Sequence, residues 1–443
     1  MGKSKLFVTG SLLFLLVSFI LALYQPSLFS DQELNQINFA FDQFYDWQGQ
    51  ILNKDKKLTG WQYIIQPKGL ENYTGEILVH TPLYPEYNYG DVLQIGCKLR
   101  QPEVIINENG QKFFYDQYLA KDDIYATCYR PRVKWLAQEK NWQHIFLNAK
   151  QYFWQNLNNY LREPASALAK AMLLAARREM PSDLRDMFSR TGLSHVVAIS
   201  GLHIAIIVYI LQSFLYLLGL SRQQVFFGIV IILLSYLFLL GFPSSAVRAS
   251  LMVGFVMLGP FLGRPTTSIN SLLLAAIILV SFNPLVIVYD IGFQLSFLAV
   301  LGLLWYVNWW QRILKFIPNV FKIREMISVT LAAQMFTWPL IVYYFHILSI
   351  ISPIANIFIL PLLPAVLILS LLLSLFGFIP FLAQVIAWPL FILLKIIVVT
   401  TTHLAQIPFG FVKLENFSLV YLLATLLFMF ILSFILRPYA KNN

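Results

Sequence analysis

Ten apolar runs, each close to the roughly 20 residues a helix needs to cross a hydrocarbon core, occupy most of this chain. The first is Leu6–Leu23, and nine more follow at about 195–219, 225–241, 245–262, 268–283, 292–310, 326–345, 349–378, 381–404 and 416–436. Lipid offers no partner to a backbone amide or carbonyl, so a segment that stays in it must satisfy every one of those groups internally, as a helix does. With 58% hydrophobic and only 12% charged residues, the expected fold class is a polytopic α-helical membrane protein of about ten transmembrane helices.

The loop charges alternate with that count. Arg222, Arg264, the cluster Arg312, Lys315, Lys322 and Arg324, and the tail residues Arg437 and Lys441 all fall in loops of one side, which the positive-inside rule makes the cytoplasmic side, with both termini there. The first run follows Lys3 and Lys5, and Ala22 leads into Leu23, Tyr24, Gln25 and Pro26 rather than a small-residue cleavage pattern. It reads as a retained anchor within residues 1–30, which places 31–162 outside. From Thr191 onward the chain holds eleven Lys or Arg against three acids (Asp290, Glu325, Glu415), whereas residues 31–162 hold 15 acids and 14 bases. The basic excess therefore belongs to membrane loops and is no sign of a basic nucleic-acid-binding face.

Within 31–162, WQYIIQ (61–66), GEILVH (75–80), DVLQIGCKL (91–99) and IYATCYR (124–130) have strand character, and FFYDQYLAKDD (113–123) reads as a short helix between the last two. A small extracytoplasmic barrel of the OB type fits that order; such barrels bind oligonucleotides and also serve as spacers. Cys97 and Cys128, the only cysteines, both fall in its strands. Outside the cell they are expected to form a disulfide, with buried free thiols as the alternative. Residues 163–192 form an amphipathic lead-in expected on the membrane surface, and 193–443 a polytopic domain.

Polar residues inside the apolar runs carry the functional reading, because an unpaired polar side chain at bilayer depth costs several kcal/mol in roughly the worst case. Ser200, Gly201 and His203 interrupt LSHVVAISGLHIAIIVYIL at 193–211; His195, Arg248, Asp290, Gln294 and His346 gather with them toward the outer leaflet. They outline an outward-facing vestibule; the alternative is a structural Arg248–Asp290 ion pair with histidines at the headgroups. On one continuous helix His195 would lie about 12 Å from His203 along the axis and about 80° around it, so no shared metal is expected. Prolines at 353, 361 and 364 break SPIANIFILPLLP (352–364) into either a re-entrant helix beside a polar cavity, with Asn356 available to it, or an ordinary kink. Arg177, Arg178, Arg185 and Arg190 can draw phosphate toward an opening or rest on anionic lipid. In the barrel, Trp61, Tyr63, Tyr115, Tyr118, Tyr125 and Tyr129 mix with Lys98, Arg100, Arg130 and Arg132; strand alternation leaves at most about half of them for a stacking face.

Several stretches together resemble one family. GLSHVVAISGLHIAIIV (192–208), its lead-in LLAARREMPSDLRDMFSRTG (173–192), FPSSAVRASLM (242–252), NPLVIVYDIGFQLSFLAVLGLL (283–304) and LAAQMFTWPLIVYYFHILSIISPIANIFILPLLP (331–364) follow in order. GDVLQIGCKL and FFYDQYLAKDDIYAT precede them. The set is similar to the ComEC family, the DNA-internalisation channels of natural transformation. The resemblance implies a competence channel domain at 193–443 that passes single-stranded DNA through the membrane. It implies a DNA receptor, a separate motor ATPase or single-strand binder, and a separate nuclease as partners. Longer members carry a metallo-beta-lactamase-like domain; the form expected here lacks it, and six scattered histidines supply no two-metal set.

No GxxxxGK[ST] loop is present, and no cofactor or metal is expected. An intramembrane hydrolase using Ser200 with His203 or His195 lacks an acid nearby and a GxSxG setting, so no enzyme is expected. A transporter of another anionic or lipid-like solute shares the same polar vestibule and stays open on physics alone.

Overall fold

The computed structural model describes residues 2–24, 40–57, 60–70, 73, 75–106, 112–120, 122–138, 143–261, 268–319, 322–414 and 417–440. Arg264 and Glu415 lie outside them, as does the stretch 25–30 at the end of the expected anchor. Two units make up the chain. The first holds Met1–Ala149 and Leu273–Ile291, the second Lys150–Leu272 and Gly292–Asn443.

In the first unit a helix, α1 (Gly2–Tyr24), precedes the barrel. The barrel strands are β1 (Phe44–Lys57), β2 (Gly60–Lys68), β3 (Glu76–Thr81), β4 (Asp91–Arg100) and β7 (Ile124–Tyr129), joined in the order β1-β2-β3-β7-β4 and closed by pairing of β1 with β4. β3 and β7 run parallel and the other pairs antiparallel, and β8 (Arg132–Gln138) extends the β4 edge. This is a closed five-stranded OB-like barrel. The four anticipated strands are all present. The long β1 that closes the barrel was not anticipated, because FYDWQGQILNKDKK mixes charges and glycine into a weak alternation. Its core is Trp47, Ile51, Tyr63, Ile65, Ile77, Val79, Leu93, Ile95, Leu99 and Ala126, with both cysteines among them. Cys97 and Cys128 form a disulfide, their Cα atoms 6.2 Å apart. The short hairpin β5 (Ile105–Ile106) and β6 (Lys112–Phe113) leads to helix α2 (Tyr115–Ala120). Ala120 and Tyr125 pack with Leu285 and Tyr289 of the same unit.

The second unit is helical. Among the described residues five helices are long and apolar enough to cross a membrane: Arg222–Leu240, Ile291–Phe316, Ile323–Phe345, Ser352–Phe376 and Pro380–Ala405. Six apolar helices are shorter, including Val8–Leu23, Gly201–Leu217 and Leu419–Leu432. Local signals set their ends. Ser221 accepts from the Gln224 amide at 3.4 Å while its own amide donates to the Gln224 side chain at 2.9 Å, and Gly241 closes Arg222–Leu240 at φ +82°, where the missing Cβ removes the penalty.

One expectation is corrected. Ala165–Leu174 is no surface helix: all ten of its residues are buried within the unit, and the amphipathic pattern belongs to Ser182–Arg190, which buries Leu184 and Phe188. The Asn156 amide donates to the Ser374 carbonyl at 2.9 Å, so the end of Gln143–Tyr160 packs on the end of Leu363–Phe376.

Candidate functional site

The segment 193–211 is two helices rather than one. After α3 (Gln143–Tyr160), α4 (Ala165–Leu174) and α5 (Ser182–Arg190), α6 covers only Ser194–Val197, the chain is extended at Ala198, and α7 (Gly201–Leu217) starts afresh. Ser200 is the N-cap of α7 and His203 its third residue. The Ser200 amide donates to His203 Nδ1 at 3.4 Å and the Ser200 hydroxyl lies 3.1 Å from the same nitrogen; with the His203 amide toward the Ser200 side chain this is a capping box in which the imidazole replaces the usual Glu or Gln. Accepting at Nδ1 places the ring proton on Nε2. His203 is fully buried; its ring lies near the Val196 carbonyl, while Nε2 makes no hydrogen bond of good geometry among the described residues. His195 is exposed and donates from Nδ1 to the Gly192 carbonyl at 3.0 Å. It lies within electrostatic range of His203; the break, not a helical spacing of eight, relates the two rings. Gly201 is exposed at the start of α7.

Gly192 has φ +72°, and a Cβ there would lie 2.6 Å from the Ser352 Cβ. Only glycine lets this turn close onto the start of α13 (Ser352–Ile359). That helix carries Asn356, buried, whose amide donates at 3.1 Å to the Thr330 hydroxyl of α12 (Ile323–Phe345); Asn356 Oδ1 is without a partner among the described residues. The proline stretch does not form a loop. A 3₁₀ turn at Leu360–Leu362 joins α13 directly to α14 (Leu363–Phe376). His346 caps α12 in the left-handed region, its amide on the Val342 carbonyl at 2.9 Å.

Arg248 sits one turn into α8 (Ser244–Phe261) and is 4% exposed. Ala246 and Ala249 beside it pack with Ile204, Val208, Ile229 and Leu233. Gln294 is hydrogen-bonded to Tyr344 within the second unit. Asp290, also buried, follows Val286–Tyr289 in the first unit.

The arginines divide. Arg177 and Arg178 stand on the 3₁₀ turn Arg177–Glu179; partial desolvation, with repulsion from Arg185 second, lowers the pKa of both. Those three form one basic cluster. Arg190 turns elsewhere, over the Phe411 ring at 5.2 Å. Beneath the cluster lies a residue that no sequence signal marked, Lys170. It is 3% exposed, and its Nζ stands 3.4 Å from Glu163 and 3.4 Å from Glu179.

On the barrel, Tyr63 and Tyr125 are core, and Tyr115 stacks on Tyr118 with centroids 6.3 Å apart. Lys98 pairs with Asp42 at 3.1 Å. Arg100, Arg130 and Arg132 are exposed. Tyr129, 52% exposed, stacks on His80 at 4.4 Å, and the Gln62 amide lies 3.2 Å from the His80 ring. β2, β3 and β7 thus place Gln62, His80 and Tyr129 in one row. His80 was missed because its partners come from strands distant in sequence; its alternation within β3 was the available sign.

The helical unit with its capped break and buried arginine coincides with a recognised protein family, since the family model described as competence protein matches residues 172–439. The chain belongs to the competence protein family. Over 249 residues it is 26% identical to ComE operon protein 3 of Bacillus subtilis (strain 168), a match covering 56% of this chain and 31% of that protein. The competence match thus spans about a third of the length of its curated relative. No solved structure matches the chain. The broken 193–211 segment, Arg248, Asn356 and the arginine cluster all lie inside the competence region; the barrel precedes it.

Proposed function

We propose that this competence-family chain conducts single-stranded DNA across the cytoplasmic membrane during natural transformation. The observation that carries the reading is Arg248, a permanently charged side chain only 4% exposed among apolar helices of the family-matched region. Withdrawing a guanidinium from water is costly, and such residues mark conduits for charged cargo. A polynucleotide is anionic at every phosphate and needs cationic or donor groups along a hydrated path. His195, Ser200, Gly201, His203, Asp290, Gln294, His346 and Asn356 are proposed as further parts of that path. Arg177, Arg178 and Arg185 gather phosphate before it. The barrel, facing outward, offers Tyr129 on His80 as a base-stacking platform beside Arg130, with Lys98, Arg100, Arg132 and Tyr115 contributing on its surface. A DNA receptor delivers the strand, and a separate motor or single-strand binder draws it in. No catalytic step is assigned to the chain.

The test is uptake of end-labelled duplex DNA by cells lacking the gene, complemented with the parent or with Arg248→Ala, scoring surface-bound and nuclease-protected label separately. Loss of protected single strand with surface binding retained is expected. Unchanged uptake would favour transport of another anionic solute.

A further inference from the structure

Lys170 is the most deeply buried lysine among the described residues, and four groups converge on it. Its Nζ is 3.4 Å from carboxylate oxygens of Glu163 and Glu179, 3.4 Å from Asn158 Oδ1, and 4.6 Å from the Trp154 ring centroid. Trp154 and Asn158 come from α3, Glu163 from the following turn, and Glu179 from the 3₁₀ turn that carries Arg177 and Arg178. Glu163 also accepts the Ala167 amide at 3.1 Å, near the start of α4.

The backbone of Lys170 holds the same turn from the other side. Ala175 ends α4 in the left-handed region at φ 62°, and the Ala176 amide donates to the Lys170 carbonyl at 3.3 Å. The Ala175 amide donates to the same carbonyl in a six-to-one bond, and the pair closes the helix. The Glu179 amide then donates to the Ala176 carbonyl at 3.1 Å. The chain from Ala175 to Glu179 is therefore anchored at its first residues by a main-chain bond to Lys170 and at its last by the Lys170 ammonium. Arg177 and Arg178 lie between the two anchors.

The arrangement goes beyond what burying a lysine requires. One carboxylate would neutralise the ammonium, and a hydrophobic residue of similar length would fill the space without desolvating a charge. Two carboxylates from different elements, one at the end of the arginine-bearing turn, instead make the cation a cross-link. The turn itself carries like charges near Arg185, whose repulsion favours its opening, and a cross-link opposes that.

We propose that Lys170 is a positioning residue, which through Glu179 and its own carbonyl holds Arg177 and Arg178 in a fixed geometry for capturing an anionic polymer. The inference rests on the DNA-conduction reading for the identity of the polymer but not for the geometry.

Two measurements separate these layers. The first is made without DNA: a nitroxide attached at Arg178→Cys in the purified full-length protein, whose only natural cysteines are in the disulfide. Its spectrum is compared in the Lys170, Lys170→Met, Lys170→Arg and Glu179→Gln backgrounds. Label mobility rises severalfold in Lys170→Met and Glu179→Gln and returns toward the parent in Lys170→Arg. An unchanged spectrum in folded Glu179→Gln overturns the proposal; that variant leaves Lys170 its bond to Glu163 and tests the tie even where Lys170→Met fails to fold.

The second, with native Arg178, follows protected-DNA uptake against external DNA concentration. The half-saturating concentration rises about tenfold in Glu179→Gln with the plateau retained. A lower plateau with unchanged half-saturation overturns the positioning role. If the spectra shift but Arg177→Ala/Arg178→Ala has no effect on uptake, the DNA reading fails while the anchoring geometry stands.

Discussion

Asn156 and Ser374 are joined by a 2.9 Å hydrogen bond from the side-chain amide of one to the carbonyl of the other, across 218 residues of sequence. Tyr160, one turn on, donates to the Gly377 carbonyl at 3.1 Å, and Tyr152, one turn before, to the Leu375 carbonyl at 3.4 Å. The last carbonyls of a helix have no partner within it. Here one face of Gln143–Tyr160 supplies three donors to the end of Leu363–Phe376.

Asn156→Ala removes the buried donor of that set and is expected to lower stability by about 1–3 kcal/mol. A Cβ at Gly377 would collide with the Asn156 side chain, so Gly377→Ala costs a similar amount. Combining the two loses less than their sum, since both act on one contact. Apparent melting temperatures of the detergent-solubilised protein check this.

Glu76 begins β3 beside Asp123 and Asp122; burial first, and those two charges next, push its carboxyl up to about 7 from an ordinary 4.5. The folded protein therefore binds more protons than the unfolded chain between those values, and stability falls as pH rises from about 4.5 through about 7. Glu76→Gln is expected to match the parent near pH 4, to flatten the profile, and to be the more stable above pH 7. Denaturant titrations across that range decide it, and parallel profiles would refute the assignment.

The Cys97–Cys128 disulfide closes a loop with a sequence separation of 31. By loop entropy it stabilises the barrel by about 3–4 kcal/mol. Cys97→Ala/Cys128→Ala is expected to lower the barrel's denaturation midpoint accordingly and to abolish its sensitivity to dithiothreitol.

His203 serves both as a helix cap and as a proposed path residue, and two substitutions divide these roles. Glutamine at the third helical position can accept the Ser200 amide as the imidazole does. His203→Gln should retain folding within about 0.5 kcal/mol, whereas His203→Ala loses about 1 kcal/mol. If the ring lines the path, His203→Gln loses protected uptake while its melting temperature is kept; full uptake would confine His203 to capping.

What the sequence determined by itself was whatever acts over a few residues. Apolar runs of spanning length located the helices from Arg222 to Ala405, period-two alternation found four barrel strands, and the paired cysteines were expected to join in the disulfide that the structure contains. Ser200 and His203, three residues apart, were expected on one helix face; the structure makes Ser200 the N-cap and His203 the third residue of one helix. That one helix ends at Val197 and another starts just after Ser200 was not legible, because the apolar pattern runs through the break and the cap depends on an imidazole. Tertiary structure alone decided the rest: β1 closing the barrel on β4, His80 under Tyr129, the burial of Ala165–Leu174, and Lys170 between Glu163 and Glu179. A lysine near an apolar helix reads as solvated until the carboxylates that surround it are known. Asn156 likewise reveals nothing until the helix end 218 residues away is folded against it. Periodicity records which face of an element avoids water; only the packed chain records what that face meets.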